Sequence, residues 1–331
     1  MRAIRELFRS LKYKINFLIK KKNSNITYIT RLNSNNELTN LMNHYGSDKG
    51  GKNNEHNYAS YYSEIFFNKK NQIKNFLEIG LGTNNKNIVS NMGPKGVPLA
   101  SLRAWRDYFV NANIYGADID KSILKNEDRI KTFYVDQTDP KTINELFISI
   151  GDIKFDIILD DGGHKNLQQI STVHYSLPYI KDGGKIIVED TGTSYVKKEF
   201  NNPSKYSFIN YAKNVVDNIH RRSPLLKKEL SFYSKKIFLV EFFESIVVFS
   251  IDSKKCFENK EVANKAKNEW AIDYRHNEYF GDLKSKLDKK YGLLNKRSFF
   301  RRIVRKIFYR NFIFNLLDNI KIKKILRDLN N

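Results

Sequence analysis

Five short apolar runs, each closed by an acidic residue or a glycine turn, constrain this chain more than any other feature in it. They are KNFLEIG (74–80), ANIYGADID (112–120), IKTFYVDQT (130–138), FDIILDD (155–161) and GGKIIVED (183–190). The segments between them carry helical patterns, as in LASLRAWRDYF (99–109) and LQQISTVHYSLPYI (167–180). Strands that alternate with helices pair in parallel through right-handed crossovers, so the expected fold is α/β, with a doubly wound, mostly parallel sheet. KKIFLVEFF (235–243) and SIVVFSI (245–251) are close enough in sequence to form an antiparallel hairpin at one sheet edge. All parallel strands of such a sheet end at one side, and ligands bind there.

The first three strand ends suit a nucleotide. Gly80 and Gly82, in Glu78-Ile79-Gly80-Leu81-Gly82-Thr83, let backbone approach a ligand closely, but Asn85 stands where a dinucleotide fingerprint needs its third glycine. Asp118, with Asp120 behind it, can accept two hydroxyl donors from a ribose. Asp136, after the third strand, can accept a hydrogen bond from an exocyclic amine. Each carboxylate alone is equally a helix cap or a turn residue; their order along successive strands is what favours a ligand.

The last two strand ends suit a reaction. Taken alone, ILDDGGHK (158–165) reads equally well as a tight turn. Asp161 and His164 follow the fourth strand, however, and Glu189-Asp190 follow the fifth after the turn Asp182-Gly183-Gly184. A right-handed crossover brings both ends beside the glycines of the first strand. Three carboxylates gathered there repel one another, so a cation is expected between them, and all-oxygen ligation favours Mg²⁺.

In these motifs the chain resembles class I S-adenosylmethionine-dependent methyltransferases, which have a Rossmann-like fold. More narrowly, it resembles the metal-dependent sugar O-methyltransferases of the macrocin and mycinamicin type. The shared features are D-G-[GS]-H after the fourth strand, E-D after the fifth followed by Thr193-Ser194-Tyr195, and Y-G-[ST]-D-K-G from Tyr45 to Gly50. The resemblance covers about residues 40–200. It implies S-adenosylmethionine and Mg²⁺ as cofactors. Gly80 and Gly82 would line the methionine part, Asp118 the ribose and Asp136 the adenine, with Glu78 and Gln137 belonging to the same cofactor motifs. Asp161, Glu189 and Asp190 would bind Mg²⁺, and His164 would be the general base. Gly163 replaces a serine often found in the family. Glu78 and Asp118 lie 40 residues apart, more than is usual, because NNKNIVSNMGPKGVP (84–98) is inserted; this loop is placed in the acceptor pocket or in a lid. His56 and Asp48-Lys49 belong either to a segment covering the cofactor or to plain capping and ion-pair roles.

Charge bears on the choice of acceptor. The net charge is +22, but residues 1–23 and 284–331 supply 19 of it, and the body between them carries 35 basic and 32 acidic residues. That distribution disfavours nucleic acid as a partner. An RNA methyltransferase remains an alternative reading, as does a metal-dependent hydroxylase-like relative. The single cysteine, Cys256, excludes a disulfide framework and fits a cytoplasmic protein. The N-terminus lacks the apolar core of a secretion signal, and no run approaches the length of a spanning helix.

Four regions are expected. Residues 1–23 form a basic amphipathic segment, 24–70 a cap segment, 71–252 the cofactor-binding domain, and 253–331 a basic, partly amphipathic extension. In the extension Phe300, Ile303, Val304, Ile307, Phe308, Phe312, Ile313, Leu316, Leu317 and Ile320 recur at helical spacing beside five arginines and lysines. Such helical tails suit peripheral contact with an anionic membrane at its inner face, or packing against protein, and a homo-oligomer is left open. The expected function is O-methylation of a sugar hydroxyl, on a sugar, nucleotide sugar or glycan, in capsule, lipopolysaccharide or other surface-glycan biosynthesis.

Overall fold

The computed structural model describes residues 35–52, 56–196, 205–222 and 231–257. They all belong to one compact unit, Met1–Arg222 with Lys228–Glu258. The basic segment 1–23 and the amphipathic stripe after Phe299 lie outside the described residues.

Among the described residues seven strands form one sheet: β1 (Asn75–Ile79), β2 (Asn113–Asp118), β3 (Ile130–Tyr134), β4 (Phe155–Asp160), β5 (Ile180–Val188), β6 (Ile237–Phe243) and β7 (Ile246–Ile251). Their order is β3-β2-β1-β4-β5-β7-β6. The first five strands run parallel, β7 pairs antiparallel with β5, and β6 pairs antiparallel with β7. The fold is therefore the expected α/β sheet with its edge hairpin. The strand order reverses between β1 and β4, where a doubly wound sheet opens a crevice at its carboxyl ends.

Register determines what meets in that crevice. Ile79 pairs with Asp160, and Asp160 with Val188. One residue further on, Asp161 N donates to Ile79 O at 2.8 Å and Glu189 N donates to Asp160 O at 2.9 Å, so three strand ends are tied at one level. One local expectation changes. The Asp182-Gly183-Gly184 turn is an irregularity inside β5, which starts at Ile180; pairing passes from Phe155 with Ile180 to Ile157 with Lys185. Gly183 takes a positive φ there, and the Asp182 carboxylate accepts hydrogen bonds from the backbone and hydroxyl of Ser253, which fixes the protruding residues.

The helices are α1 (Glu37–Tyr45), α2 (Tyr58–Phe66), α3 (Ala100–Tyr108), α4 (Pro140–Ile150), α5 (Asn166–Ser176), α6 (Phe208–His220) and the short α7 (Phe232–Lys236). Side chains alternate across a strand, and two buried clusters result, one on each sheet face. Phe76, Ile157 and Leu159 join the core with α1, α2 and α3, while Leu77, Ile79 and Ile158 join the core with α4, α5 and α6. Local signals start and stop these helices. Asn36 Oδ1 accepts from Thr39 N at 2.9 Å at the start of α1, left-handed Gly46 ends it, and Asp139 caps α4 with Pro140 as its first residue.

The residues before β1 are thus part of the main core. Fully buried Trp105 of α3 has ring centroids of Phe76 at 4.9 Å, Tyr62 at 5.5 Å and Phe109 at 5.5 Å. Such aromatic pairs contribute about 0.5–1.5 kcal/mol each beyond area burial. This packing anchors α2 and sets the short 3₁₀ turn Asp48–Gly50, just after α1, against the carboxyl edge of the sheet.

Candidate active site

A cavity of about 370 Å³ opens at that edge. Of the residues expected at the site, Gly80, Gly82, Asp118, Gln137, Asp161, His164 and Asp190 line it; Glu78, Asp136 and Glu189 do not. At one end the chain leaves β1 through Gly80, whose φ is +98°. A Cβ there would lie 1.9 Å from the carbonyl oxygen of Asp161, so only glycine lets these two loops touch. Asp118, at the end of β2, is buried; its Oδ2 accepts from Leu81 N at 2.7 Å and its Oδ1 from Asp120 N at 2.8 Å. Burial pushes its carboxyl above the usual range, and those backbone donors oppose the shift.

The residues after β3 divide in a way the strand pattern does not foresee. Asp136 turns away from the cavity and accepts hydrogen bonds from the backbone and hydroxyl of Thr138. Its neighbour Gln137 faces the cavity. The Gln137 amide donates to Asp160 Oδ1 and Thr172 Oγ1, both at 2.9 Å, while its oxygen accepts from Gly163 N at 3.0 Å. Asp136, expected at the adenine, thus has its Oδ1 engaged in capping the turn.

At the other end are Asp161, His164 and Asp190. Their side chains are 26%, 19% and 23% exposed, and one ligand atom from each can be chosen so that all lie within 4.8 Å of one another. His164 Nε2 is 3.4 Å from Asp190 Oδ2, and His164 Nδ1 is buried without a hydrogen-bond partner. Both residues adopt the left-handed conformation, with φ of 57° and 53°. Non-glycine residues are held there only when their surroundings fix them, and such strain concentrates at functional sites. The donor set suits a divalent cation. Two carboxylates and an imidazole converge on the partly exposed cavity, with Asp161 and Asp190 offering the oxygen donors that Mg²⁺ prefers.

Glu189 stands apart from this trio. It is fully buried; its Oε1 accepts from Tyr62 OH at 2.6 Å and its Oε2 from Lys49 Nζ at 2.6 Å. Burial drives its carboxyl well above the usual range. Glu78 is likewise buried behind the cavity, accepting from the Ser101 hydroxyl at 2.8 Å, and burial pushes it up to about 7. Lys49 also donates to Asp161 Oδ2, and Tyr58 OH donates to Asp190 Oδ1 at 2.6 Å. Burial opposes the charge on Lys49, but Asp161, Glu189 and Glu78 outweigh it and hold the ammonium well above its ordinary pKa. Lys49, Tyr58 and Tyr62 are the participants that strand-end reasoning misses. Lys49 was visible in the Tyr45–Gly50 motif, and the tyrosines are spaced four apart, which puts them on one helix face.

No family model matches the chain. In sequence it is homologous, over about half its length, to macrocin- and mycinamicin-type sugar O-methyltransferases. It is 33% identical over 159 residues to demethylmacrocin O-methyltransferase of Streptomyces fradiae, covering 48% of this chain and 37% of that protein. It is 33% identical over 162 residues to mycinamicin VI 2''-O-methyltransferase of Micromonospora griseorubida, covering 48% and 37%. A third relative, 8-demethyl-8-alpha-L-rhamnosyl tetracenomycin-C 2'-O-methyltransferase of Streptomyces olivaceus, is 30% identical over 186 residues, covering 55% and 46%. The chain thus spans less than half the length of these relatives. Among solved structures, the MycE methyltransferase of the mycinamycin biosynthetic pathway, in complex with Mg, SAH and mycinamycin VI, has the same fold. It superposes with a TM-score of 0.59 at 24% identity, over 71% of this chain and 57% of that one.

Proposed function

We propose that this protein is an S-adenosylmethionine- and Mg²⁺-dependent O-methyltransferase that acts on a sugar hydroxyl. One observation carries the proposal: the glycine loop of β1, with Asp118 and Gln137, and the group Asp161, His164 and Asp190 line the same cavity. A methyl donor held at one end therefore faces an acid–base group at the other. The half-length homology to sugar O-methyltransferases supports the same reading.

In this scheme the backbone at Gly80 and Gly82 leaves room for the methionine part, and Asp118 accepts from the ribose hydroxyls with lone pairs its backbone donors leave open. Asp161 and Asp190 would hold Mg²⁺, together with Glu189 where the bonds from Lys49 and Tyr62 leave it an open lone pair. When bound, the ion supplies positive charge that lowers the pKa of an acceptor hydroxyl. His164 would take the hydroxyl proton as the oxygen displaces the methyl group from the sulfonium, whose sulfur would leave with the bond pair as a neutral thioether, and Asp190 Oδ2 beside Nε2 would stabilise the imidazolium. Placement of donor and acceptor in one cavity contributes much of the rate.

The finer part of the proposal is the setting: a glycan under assembly on the cytoplasmic side of a membrane, approached through the basic tails. The relatives named above act on glycosylated natural products by their names, so the acceptor is what an experiment must identify. Purified protein, methyl-labelled cofactor and Mg²⁺ are incubated with glycan and nucleotide-sugar extracts from cells lacking the protein. Label on a sugar hydroxyl, abolished by EDTA, is the expected result. Label on RNA, or a hydroxylated product without label, would overturn the proposal.

A further inference from the structure

The acidic end of the cavity is backed by a cation and two phenols that the methyl-transfer scheme does not use. Lys49 has 2% of its side chain exposed and does not line the cavity, although its neighbour Asp48 does. Its ammonium donates to Asp161 Oδ2 and Glu189 Oε2 and lies 3.7 Å from Glu78 Oε1. Tyr62 donates to the other oxygen of Glu189, and Tyr58 to Asp190 Oδ1. Each of the three acids expected to hold a cation is therefore gripped from behind by a side chain of the segment before β1. The grip is selective. Asp161 is taken by Oδ2 and Asp190 by Oδ1, which leaves Asp161 Oδ1 and Asp190 Oδ2 for the cavity, the latter beside His164.

We propose that Lys49 is a positioning residue for the metal-holding carboxylates, with Tyr58 and Tyr62 completing the same layer. Three carboxylates set close together at the end of adjacent strands repel one another and would splay or take up protons. An ammonium fixed between Asp161 and Glu189 removes the repulsion and sets their separation, and it does so from a rigid base, because α1 and α2 are packed into the core around Trp105. The arrangement works through the ligands rather than through the substrate, as outer partners of metal ligands generally do. This inference rests on the reading that these acids hold a divalent cation.

The test uses the full chain without donor or acceptor and Mn²⁺ alone as the probe, with free Mn²⁺ read by electron paramagnetic resonance. S-adenosylhomocysteine affinity, measured by calorimetry, is the control for an intact fold. Lys49→Met is expected to weaken Mn²⁺ binding by roughly 10–100-fold while leaving S-adenosylhomocysteine affinity in place. Tyr62→Phe removes one hydroxyl only and is expected to weaken Mn²⁺ binding in the same direction, about 10-fold; it carries the test if Lys49→Met does not fold. A folded variant that binds Mn²⁺ as tightly as the parent overturns the proposal. Tighter binding also overturns it, since the ammonium would then be a competitor for the place of the ion. A parent protein that binds S-adenosylhomocysteine but no Mn²⁺ overturns the metal reading itself.

Discussion

Gly80→Ala should disable both halves of the site at once. The new Cβ would fall 1.9 Å from the carbonyl oxygen of Asp161 and 2.4 Å from its carbon, whereas real Cβ atoms keep at least 3.0 Å. The obstruction is backbone, which cannot rotate aside, so the β1 and β4 loops must separate by about 1 Å. They are joined at this level by the 2.8 Å bond from Asp161 N to Ile79 O. Relieving the contact strains or breaks that bond, costing about 1 kcal/mol. Overpacking adds about 1–3 kcal/mol, and a φ of +98° adds about 1–2 kcal/mol for a residue with a side chain. About 4 kcal/mol in all is a large share of the ~5–15 kcal/mol that holds a domain together. Gly151→Ala is the matched control, because φ there is +102° but a Cβ would meet nothing within 4 Å. Its cost should be the backbone strain alone, about 1–2 kcal/mol. Urea midpoints should therefore fall further for Gly80→Ala, by about 3 kcal/mol once converted with the m-value. S-adenosylhomocysteine and Mn²⁺ affinities should both drop in Gly80→Ala and neither in Gly151→Ala. Equal destabilisation of the two variants, with Gly80→Ala still binding both ligands like the parent, would refute the argument.

His164→Ala should keep S-adenosylhomocysteine affinity and lose roughly 10²–10⁴ in methyl-transfer rate, and EDTA should abolish the parent's activity until Mg²⁺ is restored; calorimetry and labelled-methyl assays separate the two effects. Glu78, pushed up to about 7 by burial, stays protonated in the folded chain while its unfolded counterpart ionises near 4.5, so it lowers stability as pH rises from 4.5 to 7. Glu78→Gln should flatten that decline by about 3 kcal/mol across the window, read as urea midpoints at several pH values; an unchanged slope would show that Glu78 ionises normally. The full chain should sediment with anionic but not with zwitterionic vesicles and be released by high salt, because each Lys or Arg near such a surface contributes about 1 kcal/mol; sedimentation indifferent to lipid charge would assign the apolar stripe after Phe299 to packing against protein.

The sheet was legible because its signals are local. Runs such as Phe155–Leu159 are apolar at all but one position, Asp156, as suits strands covered on both faces, and the turn residues that follow mark the binding edge. The hairpin of β6 and β7 was readable from spacing alone. What local reading loses is side-chain direction and distance. Asp136 and Gln137 are adjacent, yet one caps a turn and the other faces the cavity, and no periodicity applies past a strand end. The start of β5 was hidden because Asp182-Gly183-Gly184 reads as a turn, and only the Asp182–Ser253 bonds make it a bulge. Lys49 meets Asp161 and Glu189 across 112 and 140 residues of sequence. A motif can flag such a lysine, but only the packing of α1 and α2 shows what it touches.

That last separation also dictates a timetable for biosynthesis. Lys49 leaves the ribosome 140 residues ahead of Glu189, an interval of roughly 7–28 s at translation speeds of about 5–20 residues per second. At first the apolar faces of α1 and α2 wait for strands not yet made, and until β4 brings Asp161 the lysine has only Glu78 to offset its charge. Burying it before its acids are in place would be unfavourable, and the set is complete only when β5 delivers Glu189. The nascent chain is thereby discouraged from closing a half-finished sheet around its first two helices, and the cavity forms only when its last acidic wall arrives.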